Sequence, residues 1–441
     1  MKLKEVKNKN YCATIAKISN IVELDNCDNV QAAIVLGSQV IVSKDTKKDD
    51  VGIFFPIECK LSDEYLSNNN LYRHVEKNKD NDKVGYFEDN GRLKAVKFRG
   101  NKSEGLFMPL ESLDFISDKL NLKEGDDFDE INGIPICEKY IVKRSRMPGQ
   151  GEGKKPIGRV SRLVDNQFRL HRDTEQLKRN IEYLKIDDLI SITSKLHGTS
   201  AVFGNILVKR KLKLREKIAR LFGVKIQETE YDLVYSSRKV VKNEYFFNKK
   251  SQEWRNAKEG YYGLNVWEKW ANKIREFVPK GMSVYGEIVG YIAEDSFIQK
   301  GYHYGCENGE SELYIYRITQ TNEDGNVTEL TRLQIDEFCK RNGLNATPLL
   351  YYGHAYDLYR SIEVDDNWPE NFLAKLTADE LFGMNDSMCT LNNNEVPAEG
   401  VVVRIEGLYN PTPFKLKNYA FLEHETKILD EGEEDIEESV E

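Results

Sequence analysis

The residues able to do chemistry lie in a few short segments. Ser194-Lys195-Leu196-His197-Gly198-Thr199-Ser200 follows the apolar run Leu189-Ile190-Ser191-Ile192-Thr193, so a lysine stands at the end of a strand with a glycine close behind. A lysine placed this way can put its amine into a cleft while the backbone approaches a phosphate. To act as a nucleophile it must lose a proton from a reference pKa of about 10.4, and burial or neighbouring cations push it that way. Alone the segment decides nothing, because a lysine in a turn is ordinarily solvated. Four more segments follow. Val284 to Gly290 is a strand bearing one carboxylate, Glu287, and Leu313 to Ile318 alternates aromatic residues, Tyr316 among them. Ala398-Glu399-Gly400 sets a second carboxylate before the apolar run Val401-Val402-Val403, and Pro413-Phe414-Lys415-Leu416-Lys417-Asn418 puts two lysines on one side of a strand. Paired lysines repel each other unless an anion lies between them, and a phosphate suits that place.

The elements that must position these groups fall into two blocks. From Asn10 to about Leu113 short strands alternate with turns: Tyr11–Ile18, Ala32–Leu36 and Gln39–Val42 around Gly37-Ser38, and Val51–Phe55. Arg92 to Arg99 alternates basic and apolar residues and predicts a strand with one basic face. This many strands fits a small, partly open barrel of the oligonucleotide-binding (OB) type, or an all-β module with a solvated face. The glycines and prolines of Met147 to Pro156 mark a domain boundary. A helix is expected from Thr174 through Leu184, others within Glu253–Phe277 and over Leu333–Asn342, among antiparallel strands.

Composition narrows the class. The 441 residues suffice for two or three domains, and mean hydropathy is −0.59 with no membrane-length apolar run. The start has no secretory pattern, and seven scattered cysteines form no metal-ligand spacing, so an intracellular protein in a reducing compartment is expected, neither secreted nor membrane-bound. The net charge of −9 does not exclude nucleic acid. Eight acids lie in 428–441, and without them the charge is about −1.

Taken in order, the segments resemble the covalent nucleotidyltransferase superfamily, and most closely the ATP-dependent RNA ligases that seal nicks. The resemblance runs from about Asp188 to Asn418 and includes Gly325-Asn326-Val327-Thr328 and the stretch from Glu337 to Leu350. Lys97-Phe98-Arg99-Gly100 through Glu104-Gly105-Leu106 resembles the N-terminal OB module of one RNA-ligase branch. The expected fold is α+β: an OB-like nucleic-acid-binding β-barrel (1–145), an antiparallel-sheet nucleotidyltransferase domain (158–427) and a disordered acidic tail (428–441).

The resemblance implies that Lys195 attacks the α-phosphorus of ATP and carries AMP as a lysyl phosphoramidate. AMP would pass to a 5′-phosphate, and a 3′-hydroxyl would then displace it at a nick. It implies that His197 and Gly198 lie against the nucleotide, that Arg238 contacts the nucleotide or the end being joined, and that Tyr316 stacks on adenine. Glu399, with Glu287, would hold Mg²⁺ or Mn²⁺, Glu287 also reaching the ribose, and Lys415 and Lys417 would hold the phosphates. Arg172 is a further nucleotide or RNA contact. Three positions stand out. His197 occupies a place where capping enzymes and DNA ligases usually have Asp, Arg317 stands where Asp usually follows the aromatic, and an insertion separates Arg238 from Lys195.

The implied partner is RNA or a nicked RNA/DNA duplex, with no membrane and no obligate protein partner. The barrel, the only OB module expected, would act in sealing rather than in self-adenylylation. A nucleic-acid-binding protein with an inactive core and a GTP-using capping guanylyltransferase are the rival readings. The basic run Lys209 to Lys225 is either an RNA-tracking insert or a solvated face.

Overall fold

A computed structural model describes residues 3–25, 27–116, 121–141, 159–210, 212–243, 245–248, 253–256, 266–407 and 411–431. The boundary expected at Met147 to Pro156 lies outside them.

The N-terminal block is the expected barrel. Strand β1 (Ala13–Val22) pairs antiparallel with β2 (Val30–Val35) and with β4 (Val51–Pro56), while β3 (Ser38–Ser43) continues from β2. The β2–β3 hairpin turns at Leu36 and Gly37, both with positive φ (47° and 68°), which matches the twist of the strands it joins. β5 (Gly105–Pro109) pairs with β4, and β6 (Asp127–Phe128) with β1. Ile15, Ile53, Phe55 and Phe128 fill the interior. Gln39 donates to the Lys102 carbonyl at 2.8 Å, drawing the Asn101–Ser103 hairpin strand towards β3 and nearly closing the barrel.

The second block contains β7 (Leu189–Ser194), β8 (Thr199–Lys209), α1 (Leu214–Leu221), β9 (Thr229–Ser236), α2 (Val266–Ile274), β10 (Met282–Ala293), β11 (Ser311–Thr321), α3 (Arg332–Asn342), β12 (Leu349–His354), α4 (Trp368–Thr377), β13 (Gly400–Ile405), β14 (Thr412–Lys417) and α5 (Tyr419–Asp430). One sheet runs β14, β13, β7, β12, with Glu175–Gln176 added in parallel to β14. The other runs β9, β8, β10, β11 and Val327–Glu329. Trp368, Phe372 and Leu376 of α4 pack under the first, and Trp267, Trp270 and Ile274 of α2 under the second. The link from β7 to β8, Lys195 to Gly198, is where the chain crosses between sheets.

Three expectations are corrected. Thr174–Leu184 is not a helix but two 3₁₀ turns, Leu177–Arg179 and Ile181–Tyr183. Asn180 (φ −130°, ψ 20°) interrupts them, and Gln176 is tied to Asn10 of the N-terminal block. The helical spacing of Leu177, Ile181 and Leu184 reflects burial alone. The helix expected within Glu253–Phe277 is present as α2, while Glu253–Asn256 at the start of that range is a strand. The basic strip from Arg92 is not a free face, because it packs on α5. Arg92 is buried, with Nη1 at 3.2 Å from Asp430, Lys94 reaches Asp430 at 3.0 Å, and Lys97 reaches Glu423 at 3.2 Å. Finally, α5 continues through Asp430, into the stretch expected to be tail; residues 432–441 lie outside the described set.

The basic insert carries α1 with its polar side tied to its own stem, through Glu216 to Arg210 (2.7 Å) and Arg220 to Glu228 (2.9 Å). Its apolar residues face outward, Leu221 being 86% exposed. Among the described residues no helix is long and apolar enough to cross a membrane.

These placements predict opposite outcomes for two apolar residues. Phe421, wedged at 5.0 Å from the His197 ring and buried, should cost about 3–5 kcal/mol on Phe421→Ala. Leu221→Ser should stay within about 0.5 kcal/mol of the parent. Urea unfolding of both variants checks the pair.

Candidate active site

The site forms where the two sheets face each other across the crossing. Lys195 leaves β7 with its backbone N–H bonded to the Gly400 carbonyl (2.9 Å), and its Nζ lies 2.5 Å from Glu399 Oε1. Glu399 precedes β13, almost wholly buried. Gly400 has φ 131°, and a Cβ there would stand 2.1 Å from the Leu416 carbonyl oxygen, so only glycine lets β13 lie this close to β14. Gly198 is equally constrained: a Cβ would stand 2.3 Å from the Ile288 carbonyl oxygen. Its N–H instead donates to Glu287 Oε1 at 3.1 Å, and Ser200 Oγ donates to Glu287 Oε2 at 3.3 Å. Glu287, on β10, therefore pins the loop after the lysine.

Lys415 and Lys417 point the same way from β14, while Phe414 and Leu416 enter the core. Lys417 is held by Glu425 of α5, Nζ to Oε2 3.0 Å. Lys415 is buried and forms no ion pair with a described carboxylate. His197 packs edge-on against Tyr302 and Phe421, both at 5.0 Å, and its N–H donates to Tyr304 Oη at 2.7 Å. Tyr316 on β11 meets His171, Oη to Nδ1 2.9 Å, and Arg238 forms an ion pair with Asp173.

The electrostatics depart from expectation at Lys195. Burial, the largest influence, lowers its pKa, but Glu399, through charge and hydrogen bond, together with Glu287 leaves it raised, so the resting amine is an ammonium. Lys415 takes the expected downward shift. Burial, then Lys417 and Lys195, bring it to about 7. Lys417 stays above its ordinary value because Glu425 and Glu58 outweigh its burial. Burial would raise Asp173, yet Arg238 holds it at about 2, and burial with Arg238 pushes His171 down to about 3.

The geometry brings together Lys195, His197, Gly198, Glu287, Glu399, Lys415 and Lys417, and sets Tyr316 and Arg238 beside His171 and Asp173. Arg172 is exposed, its neighbours His171 and Asp173 making the contacts instead. The signal was available, since residues two apart in an extended segment share a side. Arg317, the departure after Tyr316, is a framework residue bonded to Glu329 at 2.7 Å. Glu425 and Glu58 carried no sequence signal, because their neighbour Lys417 is distant from both in the chain or faces them only through the packing of α5.

A barrel of the OB type fused to two sheets that enclose a lysine-lined cleft defines a polynucleotide-ligase architecture. The chain belongs to the RNA ligase family: the RNA ligase model matches residues 188–417, and an OB-fold domain model matches residues 12–110. Solved structures of the Naegleria gruberi RNA ligase share the fold. A lysine-to-alanine variant with ATP and Mn is 18% identical, with 95% of this chain and 99% of that chain covered at TM-score 0.55. A lysine-to-methionine variant with AMP and Mn is 18% identical, covering 93% and 98% at 0.56. An arginine-to-alanine variant with ATP and Mn is also 18% identical, covering 94% and 99% at 0.57. No curated protein matches.

His171 supplies a direct check on this electrostatic picture. Its folded pKa lies below the unfolded value of about 6.5, so it destabilises the fold progressively as pH falls from 6.5 towards 3. NMR of ring-labelled histidine should show His171 neutral from pH 8 to about 5, where a solvated histidine titrates. A midpoint near 6.5 would contradict the geometry.

Proposed function

We propose that this RNA ligase joins a 5′-phosphate to a 3′-hydroxyl at nicks in RNA-containing duplexes, using ATP and the amine of Lys195. The observation that carries the reading is the convergence of Lys195, Glu399, Lys415 and Lys417 from three adjacent strands of one sheet.

In the first step the Lys195 amine attacks the α-phosphorus of ATP. An N–P bond forms, the bond to the bridging oxygen breaks, and pyrophosphate leaves. Lys195 must first surrender the proton that Glu399 stabilises. Lys415 and Lys417 neutralise phosphate oxygens and disfavour an ammonium at Lys195. In the second step an oxygen of the 5′-phosphate takes AMP from Lys195, and in the third the 3′-hydroxyl displaces AMP. Tyr316 would offer its ring to adenine, with His197 and Gly198 along the nucleotide and Arg238 towards the end being joined. Arg172, exposed, would meet nucleic acid outside the cleft.

Glu399 also fits a divalent cation: its Oε2 is buried and has no hydrogen-bond partner among the described groups. One or two carboxylates with substrate phosphates and waters suffice for Mg²⁺, and Mn²⁺ accepts the same ligands. Glu399, with Glu287 beside it, would hold the ion, which supplies Lewis-acid neutralisation of phosphate charge. The N. gruberi structures, with ATP or AMP and Mn, accord with this choice. Seven free cysteines, six of them buried, support a reducing compartment as the setting.

Incubation with α-labelled ATP and Mg²⁺ should label the protein, and Lys195→Ala should abolish the label. Glu399→Gln should cut labelling by at least about 100-fold, the scale of losing a major electrostatic contact. Label from GTP alone would favour a capping activity, and no label with any nucleotide an inactive core. Sealing assays on nicks with RNA or DNA on either side then test the substrate.

A further inference from the structure

The barrel reaches the lysine pair. Glu58 follows β4 in a left-handed conformation (φ 63°) that a glutamate seldom adopts, and it is buried. Such strain persists only where surrounding contacts hold it, and it clusters at functional sites. The Glu58 side chain lines one cleft with Lys417, and the charges of Glu425 and Lys417 act on its carboxyl. Tyr11 Oη donates to Glu58 Oε2 at 3.3 Å, and Lys139, lying 4.4 Å over the Tyr11 ring, is a further charge acting on it. A cleft lined by Tyr11, Glu58, Gln176, Lys178, Lys415 and Lys417 opens alongside.

We propose that Glu58 of the barrel and Glu425 of α5 are positioning residues for Lys417, holding the lysine paired but transferable to a nucleotide phosphate. The inference rests on the reading of Lys417 as a phosphate-binding group. Two carboxylates beside one buried ammonium leave a net negative charge where the incoming nucleotide is itself anionic; one proton between them restores balance. Burial and Glu425 accordingly raise Glu58 to about 7, against the pull of Lys417 and Lys139. Glu425 remains the direct partner of Lys417, at 3.0 and 3.3 Å. When a phosphate oxygen replaces Glu425 at Lys417, a protonated Glu58 adds no second negative charge beside the nucleotide.

The sign follows. Above about pH 7 Glu58 ionises, the cluster gains a negative charge, and nucleotide binding weakens. The KM for ATP in protein adenylylation should therefore rise above pH 7, by at most about tenfold per pH unit. Lys415 loses its own proton in the same range and acts in the same direction, so the variants carry the test. Initial rates of labelling from α-labelled ATP and Mg²⁺ are measured across ATP concentration and pH 6 to 9. In Glu58→Gln, which mimics the protonated acid, the rise in KM should be shallower than in the parent, with the difference in KM rather than kcat. In Glu425→Gln, Glu58 loses its acidic neighbour, so the inflection in KM should move to lower pH. A structural role alone would change stability or rate at every pH without altering these profiles. Parental pH profiles of KM in either variant would overturn the proposal. Lys417→Ala separates this from the underlying reading: loss of labelling leaves that reading standing, and parental labelling by Lys417→Ala would overturn both.

Discussion

The ion pair between Lys195 and Glu399 is the constraint on which the rest depends. Glu399 is buried and Lys195 half-buried, and an ion left unpaired in the interior costs several kcal/mol. Pairing at 2.5 Å offsets that cost and fixes the position of the Lys195 amine. The carboxylate also holds the lysine in its protonated form. Cationic charge at Glu399, or a phosphate at the amine, would compete with the pair. The orphaned second oxygen of Glu399 is the place where such charge can be received.

The same logic extends across the cleft. Lys417 has Glu425, Arg238 has Asp173, and Lys195 has Glu399. Lys415 has no such described partner, and burial among other cations leaves it ready to shed its proton near neutrality. Lys415 is thus the cation of the site without a described carboxylate of its own. A phosphate would complete the set, which explains why β14 tolerates two buried lysines on one face. The backbone makes this possible: Gly400 lets β13 lie against β14, and Gly198 lets the loop after Lys195 lie against β10.

Much of this was legible in the sequence, for a physical reason. Strands flanked by turn residues announce themselves by alternation, so β1 to β4, β7, β10, β11, β13 and β14 were all anticipated. The groups at their ends could be placed because alternation fixes which side each faces. What escaped was set by contacts distant in sequence. The spacing of Leu177, Ile181 and Leu184 is helical, but a tether to Asn10 and pairing with β14 prevent a helix. Arg92 to Lys97 reads as a basic face until α5 supplies Asp430 and Glu423 to neutralise it. The suppression of the Lys195 pKa was expected from the neighbouring lysines. Local charge alone could not reveal that Glu399 sits closer than either.

α5 makes the two halves interdependent. Its N-cap, Asn418, is fully buried; its N–H donates to the Glu399 carbonyl at 2.9 Å and its amide to the Ser387 carbonyl at 3.0 Å. One helix therefore begins beside Glu399, carries Glu425 to Lys417, packs Phe421 on His197, and ends on Arg92 of the barrel. Arg92 and the left-handed Glu58 of the barrel are both buried, and separating the barrel from α5 would leave Arg92 without Asp430.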